Sequence, residues 1–288
     1  MRRSALLCAA VGIPLVSTAA TLRDDRGDAF ELRAPAKRIV ALSPNLVELA
    51  FAAGAGGNLA AAVRYSDYPP EASKLPQVGD ASRIDVERVL ALQPDLVLAW
   101  RSGNPAGDVE RLKSLGLPVF VTEARRLGDI ARLLRTLGTL AGTARVAEAA
   151  ASAFERDLAD LRRRYGGRRT VAVFYEIWNR PLLTVNGDHV ISDVIALCGG
   201  RNVFRDAPVL TPAVSLEAVI KARPQVVLGG SSAVRREEFA ASWAALPVSG
   251  LRALPVRYVP PDLIQRQTPR IAQGARVVCE ELDEVRKR

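Results

Sequence analysis

One histidine, three cysteines and no catalytic signature limit the chemistry open to this chain. His189 is the only imidazole in 288 residues. Its place ahead of the apolar run "VISDVIAL" suits a cap or a loop. A nucleophile–histidine relay would have to pass through it, yet no G-x-S-x-G turn occurs. A zinc or manganese centre asks for more imidazole or thiolate than the chain offers. The glycine run "GAGGN" at 54–58 ends a helical stretch rather than opening one, and it lacks the third glycine of a dinucleotide fingerprint. No phosphate-binding loop is present. An α/β enzyme of Rossmann-like type therefore stands as the alternative to a protein that binds without covalent chemistry, and no catalytic residue, cofactor or metal is expected.

What remains is recognition chemistry. Aromatic residues are only 5% of the chain, yet many fall in or beside a few short polar segments: "RYSDYPP" at 64–70, "RSGN" at 101–104, "EIWNRP" at 176–181 and "PPDLIQRQTPR" at 260–270. Flat apolar faces beside a few charges suit a sizeable, partly planar ligand. The candidate ligand contacts are Tyr65, Arg101, Tyr175, Trp178, Asp262 and Arg266. Tyr68, ahead of two prolines, also suits loop packing, and Trp243 in "EEFAASWAAL" reads as helix packing.

Three of these segments follow a short apolar run of the kind that forms a strand covered on both faces, and "RYSDYPP" lies ahead of the next helix. The runs recur in order. "IDVERVLALQPDLVL" at 84–98 returns as "VSLEAVIKARPQVVL" at 214–228. Asp85 and Ser215 are N-cap types. Glu87 and Glu217 fall in the first turn, where the helix dipole favours a negative charge. Val86, Val89 and Leu90, like Leu216, Val219 and Ile220, have helical spacing. Pro94 and Pro224 end the helices. "RIVALSP" at 38–44 matches "RTVAVFY" at 169–175, "LVELAFAAGAGGNL" at 46–59 resembles "VISDVIALCGGRNV" at 190–203, and "LPVFVT" at 117–122 resembles "LPVRYV" at 254–259. Strand, helix, strand, helix, strand, twice over, predicts two Rossmann-like α/β lobes with central parallel sheets. Ligands of such lobes collect at the carboxyl ends of the strands.

Between the repeats lies "TARVAEAAASAFERDLADLRRRYGG", rich in alanine and free of proline. Val146, Ala150, Phe154, Leu158, Leu161 and Tyr165 make one apolar stripe. Residues 143–165 as a single helix would span about 34 Å. Such a rod holds two lobes at a nearly fixed separation, with a ligand cleft between them. The expected organisation is an N-terminal lobe over 21–142, a connecting helix over 143–166 and a C-terminal lobe over 167–288.

Residues 1–20 read as a signal peptide: a basic "MRR", a short apolar core and small residues ending at Ala20. An exported chain keeps two cysteines, Cys198 and Cys279. They could bond in an oxidising compartment or remain as two buried thiols. Loss of Arg2 and Arg3 lowers the net charge from +9 to +7. With no basic run interleaved with aromatics, that charge serves solubility and a mild bias toward anionic partners. Nucleic acid is not an expected partner.

"RIVALSPNLVELAFAAG", "YSDYPPEA", "VERVLALQPDLVLAWRSGN", "CGGRNVF" and "TPRI", in this order around a central helix, resemble the helical-backbone class of periplasmic binding proteins, and within it the cobalamin binders. The resemblance covers nearly all of residues 38–285. It implies a monomeric periplasmic protein that carries cobalamin or a related corrinoid to an ABC importer, a permease dimer with its ATPase. A ferric siderophore or haem is the alternative ligand. It implies that Glu87 and Glu217 dock onto arginines of the permease, one per lobe, and that Cys198 and Cys279 form a bridge. It also implies that Tyr65 and Asp262 sit at ligand-contact positions. The chain departs where the cobalamin binders carry aromatic rings: Ala81, Leu183, Thr211 and Leu263 stand there instead.

Overall fold

Consecutive apolar residues form strands here wherever both faces can be covered. The computed structural model describes residues 22–231 and 235–288; the signal segment 1–20 lies outside the described residues. Ile39–Ala41 (β1), Leu59–Ala62 (β2), Leu96–Trp100 (β3) and Val119–Thr122 (β4) form one sheet in the order β2-β1-β3-β4. Val171–Glu176 (β5), Gly200–Asn202 (β6), Val226–Gly229 (β7) and Val256–Tyr258 (β8) form another in the order β6-β5-β7-β8. All pairings within these two sheets are parallel, so the connections must cross a face, mostly through helices. The first lobe uses Pro44–Ala52 (α1), Val86–Ala91 (α2), Ala106–Ser114 (α3) and Leu127–Ala141 (α4); Ala144–Tyr165 (α5) leads to the second. That lobe uses Val190–Leu197 (α6), Leu216–Ala222 (α7), Arg236–Ala244 (α8), Ser249–Arg252 (α9), Pro261–Ile264 (α10) and Ile271–Arg286 (α11). The sequence pattern predicts three strands per lobe, and among the described residues the parallel sheet of each lobe has four. The additional β2 ("LAAA") and β6 ("GRN") lack β-branched residues, and each takes the free edge beside a strong central strand.

The duplicated element is duplicated in detail. The Asp85 carboxylate accepts from the Arg88 amide at 3.0 Å, and the Ser215 hydroxyl accepts from the Ala218 amide at 3.2 Å. Ahead of Pro94 and Pro224, Gln93 and Arg223 both take left-handed backbone, at φ 46° and 49°. Both side chains carry a Cβ, so each turn costs on the order of 1 kcal/mol. Leu90 and Ile220 differ from the expected apolar stripe: they are 40% and 41% exposed. Two-turn helices reach the sheet through Val86 and Val89, or through Val219, and leave the next position outside.

Alternation along the strands sorts the core. Val40, Val97 and Val121 face an outer cluster of the first lobe with Val89 and Leu112. Phe174 and Val227 face an outer cluster of the second lobe with Phe239 and Trp243. The opposite faces, with Ile39, Leu96 and Leu98 from one sheet and Val173, Tyr175 and Leu228 from the other, belong to one continuous core joined through α5. The lobes are thus separate in their sheets but share their inner packing.

Helix α5 matches the expected rod, 22 residues long, but its buried stripe differs at the start. Phe154, Leu158, Leu161 and Tyr165 are buried as expected, whereas Ala147 and Ala151 replace Val146 and Ala150. The reason is close approach to α4. A Cβ on Gly138 would lie 2.3 Å from the Ala147 Cβ, so only small residues fit where the helices touch. Val146 turns outward, 47% exposed, and lies against Gly54.

Cys198, the C-cap of α6, is bonded to Cys279 of α11, with Cα atoms 4.7 Å apart and a sequence separation of 81. Arg286 reinforces the same junction by donating to the Cys198 and Gly199 carbonyls at 2.7 and 3.1 Å. A closed loop of this length restricts the unfolded chain by about 4–5 kcal/mol. Cys198→Ala with Cys279→Ala is therefore expected to lower the unfolding free energy by up to that amount in urea titrations while preserving the α-helical circular dichroism spectrum at low temperature.

Candidate functional site

A single guanidinium ties the carboxyl ends of the two sheets together. Arg266 follows α10 in the second lobe and is mostly buried, with a side chain 16% exposed. Its Nη1 donates to Glu48 Oε1 at 2.8 Å and to Asp67 Oδ1 at 2.6 Å, both in the first lobe. Its Nη2 lies 3.1 Å from Asp262 Oδ1 and donates to the Tyr65 carbonyl at 3.4 Å. Burial opposes the Arg266 charge, yet these carboxylates hold its pKa above the usual guanidinium value. Glu48 is the only charge on α1, an otherwise apolar helix whose buried face seats it at the seam. Burial raises the Glu48 pKa against the pull of Arg266 and Arg270. Asp67 is half out in solvent; burial opposes its charge, but Arg266 and Arg270 together hold its pKa below the usual carboxylate value.

Further contacts cross the same seam. The Arg270 guanidinium sits 4.0 Å from the centre of the Tyr68 ring and 3.7 Å from Glu48. Asn45 Nδ2 donates to Gln267 Oε1 at 3.1 Å. Arg126 donates to the Gly187 carbonyl at 2.8 Å and to Asp188 at 3.0 Å, and the Leu127 amide donates to Asp193 at 2.8 Å. A cavity of about 340 Å³ opens at the seam between Phe51, Tyr68, Pro69, Thr268 and Arg270. It is small for a tetrapyrrole-sized ligand.

Of the six expected ligand contacts, the structure brings together Tyr65, Asp262 and Arg266. Tyr65 is 75% exposed and adopts left-handed backbone, φ 66°, which a side chain of this size rarely takes. Trp178 stands apart on a short hairpin with Leu182–Leu183. Its indole N–H donates to the Arg180 carbonyl at 3.0 Å, which leaves the ring 43% exposed. Arg101 donates to the Asp25 carbonyl at 3.0 Å within its own lobe. Tyr175 is a correction. It is fully buried on the inner face of β5, in the shared core, and its hydroxyl accepts from Gln265 Nε2 at 3.5 Å. Strand alternation points it at the helices rather than at a ligand, and burial raises its pKa.

Sequence reasoning missed Glu48, Asp67, Arg270 and Trp100 as site residues. The signal for Glu48 was visible: a lone carboxylate in "LVELAFAAG". Trp100 ends β3 and, with Arg26, Arg101, Asn104 and Val121, lines a cavity of about 370 Å³. Its indole N–H is buried without a hydrogen-bond partner. His189 caps α6, accepting from the Ile191 amide at 3.2 Å. Among the described residues no group of three or more His, Cys, Asp or Glu is placed to hold a metal ion, and no helix is long and apolar enough to cross a membrane.

Two expectations follow. Arg266→Ala leaves Glu48 buried without its main partner and is expected to cost about 3 kcal/mol; adding Glu48→Gln should recover part of the loss, read by thermal and urea unfolding. His189 has its pKa lowered by burial from 6.5 to about 4. The unfolded chain therefore binds that proton first as pH falls. Stability from this group is full above pH 6.5 and declines toward pH 4, by about 3 kcal/mol at most. Glu48, Glu123 and Glu176, raised by burial, contribute with the opposite sign. The readout is thus the difference between wild type and His189→Asn, which should narrow or invert across that window.

A family profile described as "Periplasmic binding protein" matches residues 39–248. The "Vitamin B12-binding protein" of Pectobacterium carotovorum is 37% identical over 248 residues, 85% of this chain and 88% of that one. The crystal structure of the periplasmic vitamin B12 binding protein BtuF of Vibrio cholerae superposes with a TM-score of 0.80 at 35% identity, covering 88% of this chain and 99% of that one. A periplasmic heme binding protein from Pseudomonas aeruginosa shares the fold, with a TM-score of 0.74 at 22% identity, covering 85% and 92%. Proteins of this kind bind a ligand and deliver it to ABC permeases. With two parallel-sheet lobes and a shared helix of the same kind, the chain belongs to the periplasmic binding protein family.

Proposed function

We propose that this protein, exported by a signal peptide cleaved after Ala20, binds cobalamin or a related corrinoid between its lobes and hands it to the permease dimer and ATPase of an ABC importer. The observation that carries the reading is identity of 35–37% along 85–88% of the chain with proteins named for vitamin B12 binding. The physical chemistry is compatible. Tyr65 and Trp178 offer exposed ring faces, and Asp262 and Arg266 offer a carboxylate and a guanidinium near one of them. A corrinoid has a broad, mostly apolar face fringed with amides, which suits ring stacking and a few directed hydrogen bonds. In this reading the ligand occupies the gap between lobe rims rather than the seam cavity, and Glu87 and Glu217 meet cationic residues of the permease. Both carboxylates are exposed and make no ion pair among the described residues.

Haem or a ferric siderophore remains the second reading because Ala81, Leu183, Thr211 and Leu263 supply no rings. Haem held by an imidazole is disfavoured on chemical grounds: the sole histidine is buried and already serves as a cap. The test is titration of the mature protein with cyanocobalamin, haemin and a ferric hydroxamate, followed by calorimetry and tryptophan fluorescence. One-to-one saturable binding of cyanocobalamin is expected, weakened by Trp178→Ala. Saturation by haemin or the hydroxamate alone would overturn the ligand, and turnover of a bound molecule would overturn the class.

A further inference from the structure

The two duplicated helices present more than a carboxylate. On α2, Glu87 is followed three residues later by Leu90, 40% exposed; on α7, Glu217 is followed three residues later by Ile220, 41% exposed. Residues three apart on a helix are surface neighbours. Each lobe thus shows an exposed acid, in no ion pair among the described residues, beside a branched aliphatic side chain. The match is not a by-product of similar surroundings. Beside α2 lies a cavity of about 470 Å³ lined by charge, including Arg64, Arg83, Asp108 and Arg111. Beside α7 lies one of about 380 Å³ lined largely by Leu182, Val214, Leu216, Trp243 and Leu246. The surfaces around the two helices have diverged, while the acid, the aliphatic residue, the side-chain cap and the left-handed turn before proline are kept in both.

We propose that Glu87 with Leu90 and Glu217 with Ile220 form two equivalent two-part contacts, and that their occupant is a two-fold symmetric protein offering, on each subunit, a cationic side chain next to an apolar socket. This rests on the docking reading above and extends it: the carboxylates set orientation and salt-dependent attraction, and the aliphatic pair supplies contact that salt does not screen. An exposed carboxylate without an ion pair among the described residues calls for a cation, and two copies of one motif on a single chain call for two copies of one receptor.

The test measures binding of the full mature protein to its source cell's importer complex, permease with ATPase, in lipid nanodiscs at low and high salt. Leu90→Gln with Ile220→Gln should weaken binding about tenfold or more at both salt levels, with ligand affinity and melting temperature unchanged; Leu90→Ala with Ile220→Ala provides an independent pair should one fold poorly. Glu87→Gln with Glu217→Gln should weaken binding at low salt and flatten its salt dependence. Wild-type binding by both aliphatic pairs overturns this proposal and leaves the docking carboxylates standing. Wild-type affinity and salt dependence in the double glutamine variant of the acids overturns the docking reading itself. Self-association that disappears in the aliphatic variants would identify a second copy of this chain as the occupant and also overturn the proposal.

Discussion

The packing of one helix against two sheets constrains everything else. Six side chains of α5, from Ala147 to Tyr165, are buried in a core that runs without a break from Ile39 to Leu282. Turning one lobe against the other would have to break contacts along that stripe, and cores are bistable rather than freely deformable. The small-residue contact between Gly138 and Ala147 fixes the helix at its first turns, and the disulfide with Arg286 fixes the framework at the other end. Built this way, the two lobes share one core, so rotation of one against the other is opposed by the packing of α5.

At the seam, that rigidity meets charge. Arg266 brings together carboxylates from both lobes, the farthest of them, Glu48, 218 residues from it in sequence. Such a buried cluster is weak evidence for net stability, because desolvating the ions offsets much of their attraction. Its worth lies in geometry. A planar guanidinium accepts only certain approach directions, so Glu48, Asp67 and Asp262 register one lobe against the other. The strained backbone at Tyr65, whose carbonyl also meets Arg266, places an exposed ring beside this cluster. The placement of that ring and the register of the lobes are therefore coupled through one side chain.

The outer surfaces follow a different rule. The two lobes match in the capped two-turn helices that carry Glu87 and Glu217 and differ in the surfaces beside them. Gln93 and Arg223 retain an unfavourable backbone conformation in both lobes. In both lobes the strained residue turns the chain from the end of its short helix to the proline that precedes the next strand.

How much of this was legible in the residues depended on range. Caps, proline stops, the long alanine-rich helix and the three apolar strands of each lobe are local consequences of side-chain chemistry, and the sequence alone determined them; the edge strands Leu59–Ala62 and Gly200–Asn202 were not among them. The pairing of Cys198 with Cys279 needed only the count of two and an oxidising compartment to be plausible. Tertiary structure decided which face each residue took. Tyr175 follows a strand that is apolar throughout, so nothing local says that its ring points into the shared core. Ala147 displaced Val146 because another helix lies too close for a branched side chain. Leu90 and Ile220 fit an apolar stripe, but helices of two turns cannot bury it. Glu48 and Arg266 meet only when both lobes are folded. Pairings over 200 residues apart leave no periodic trace in the chain, because they are fixed by where the sheets come to rest rather than by neighbouring side chains.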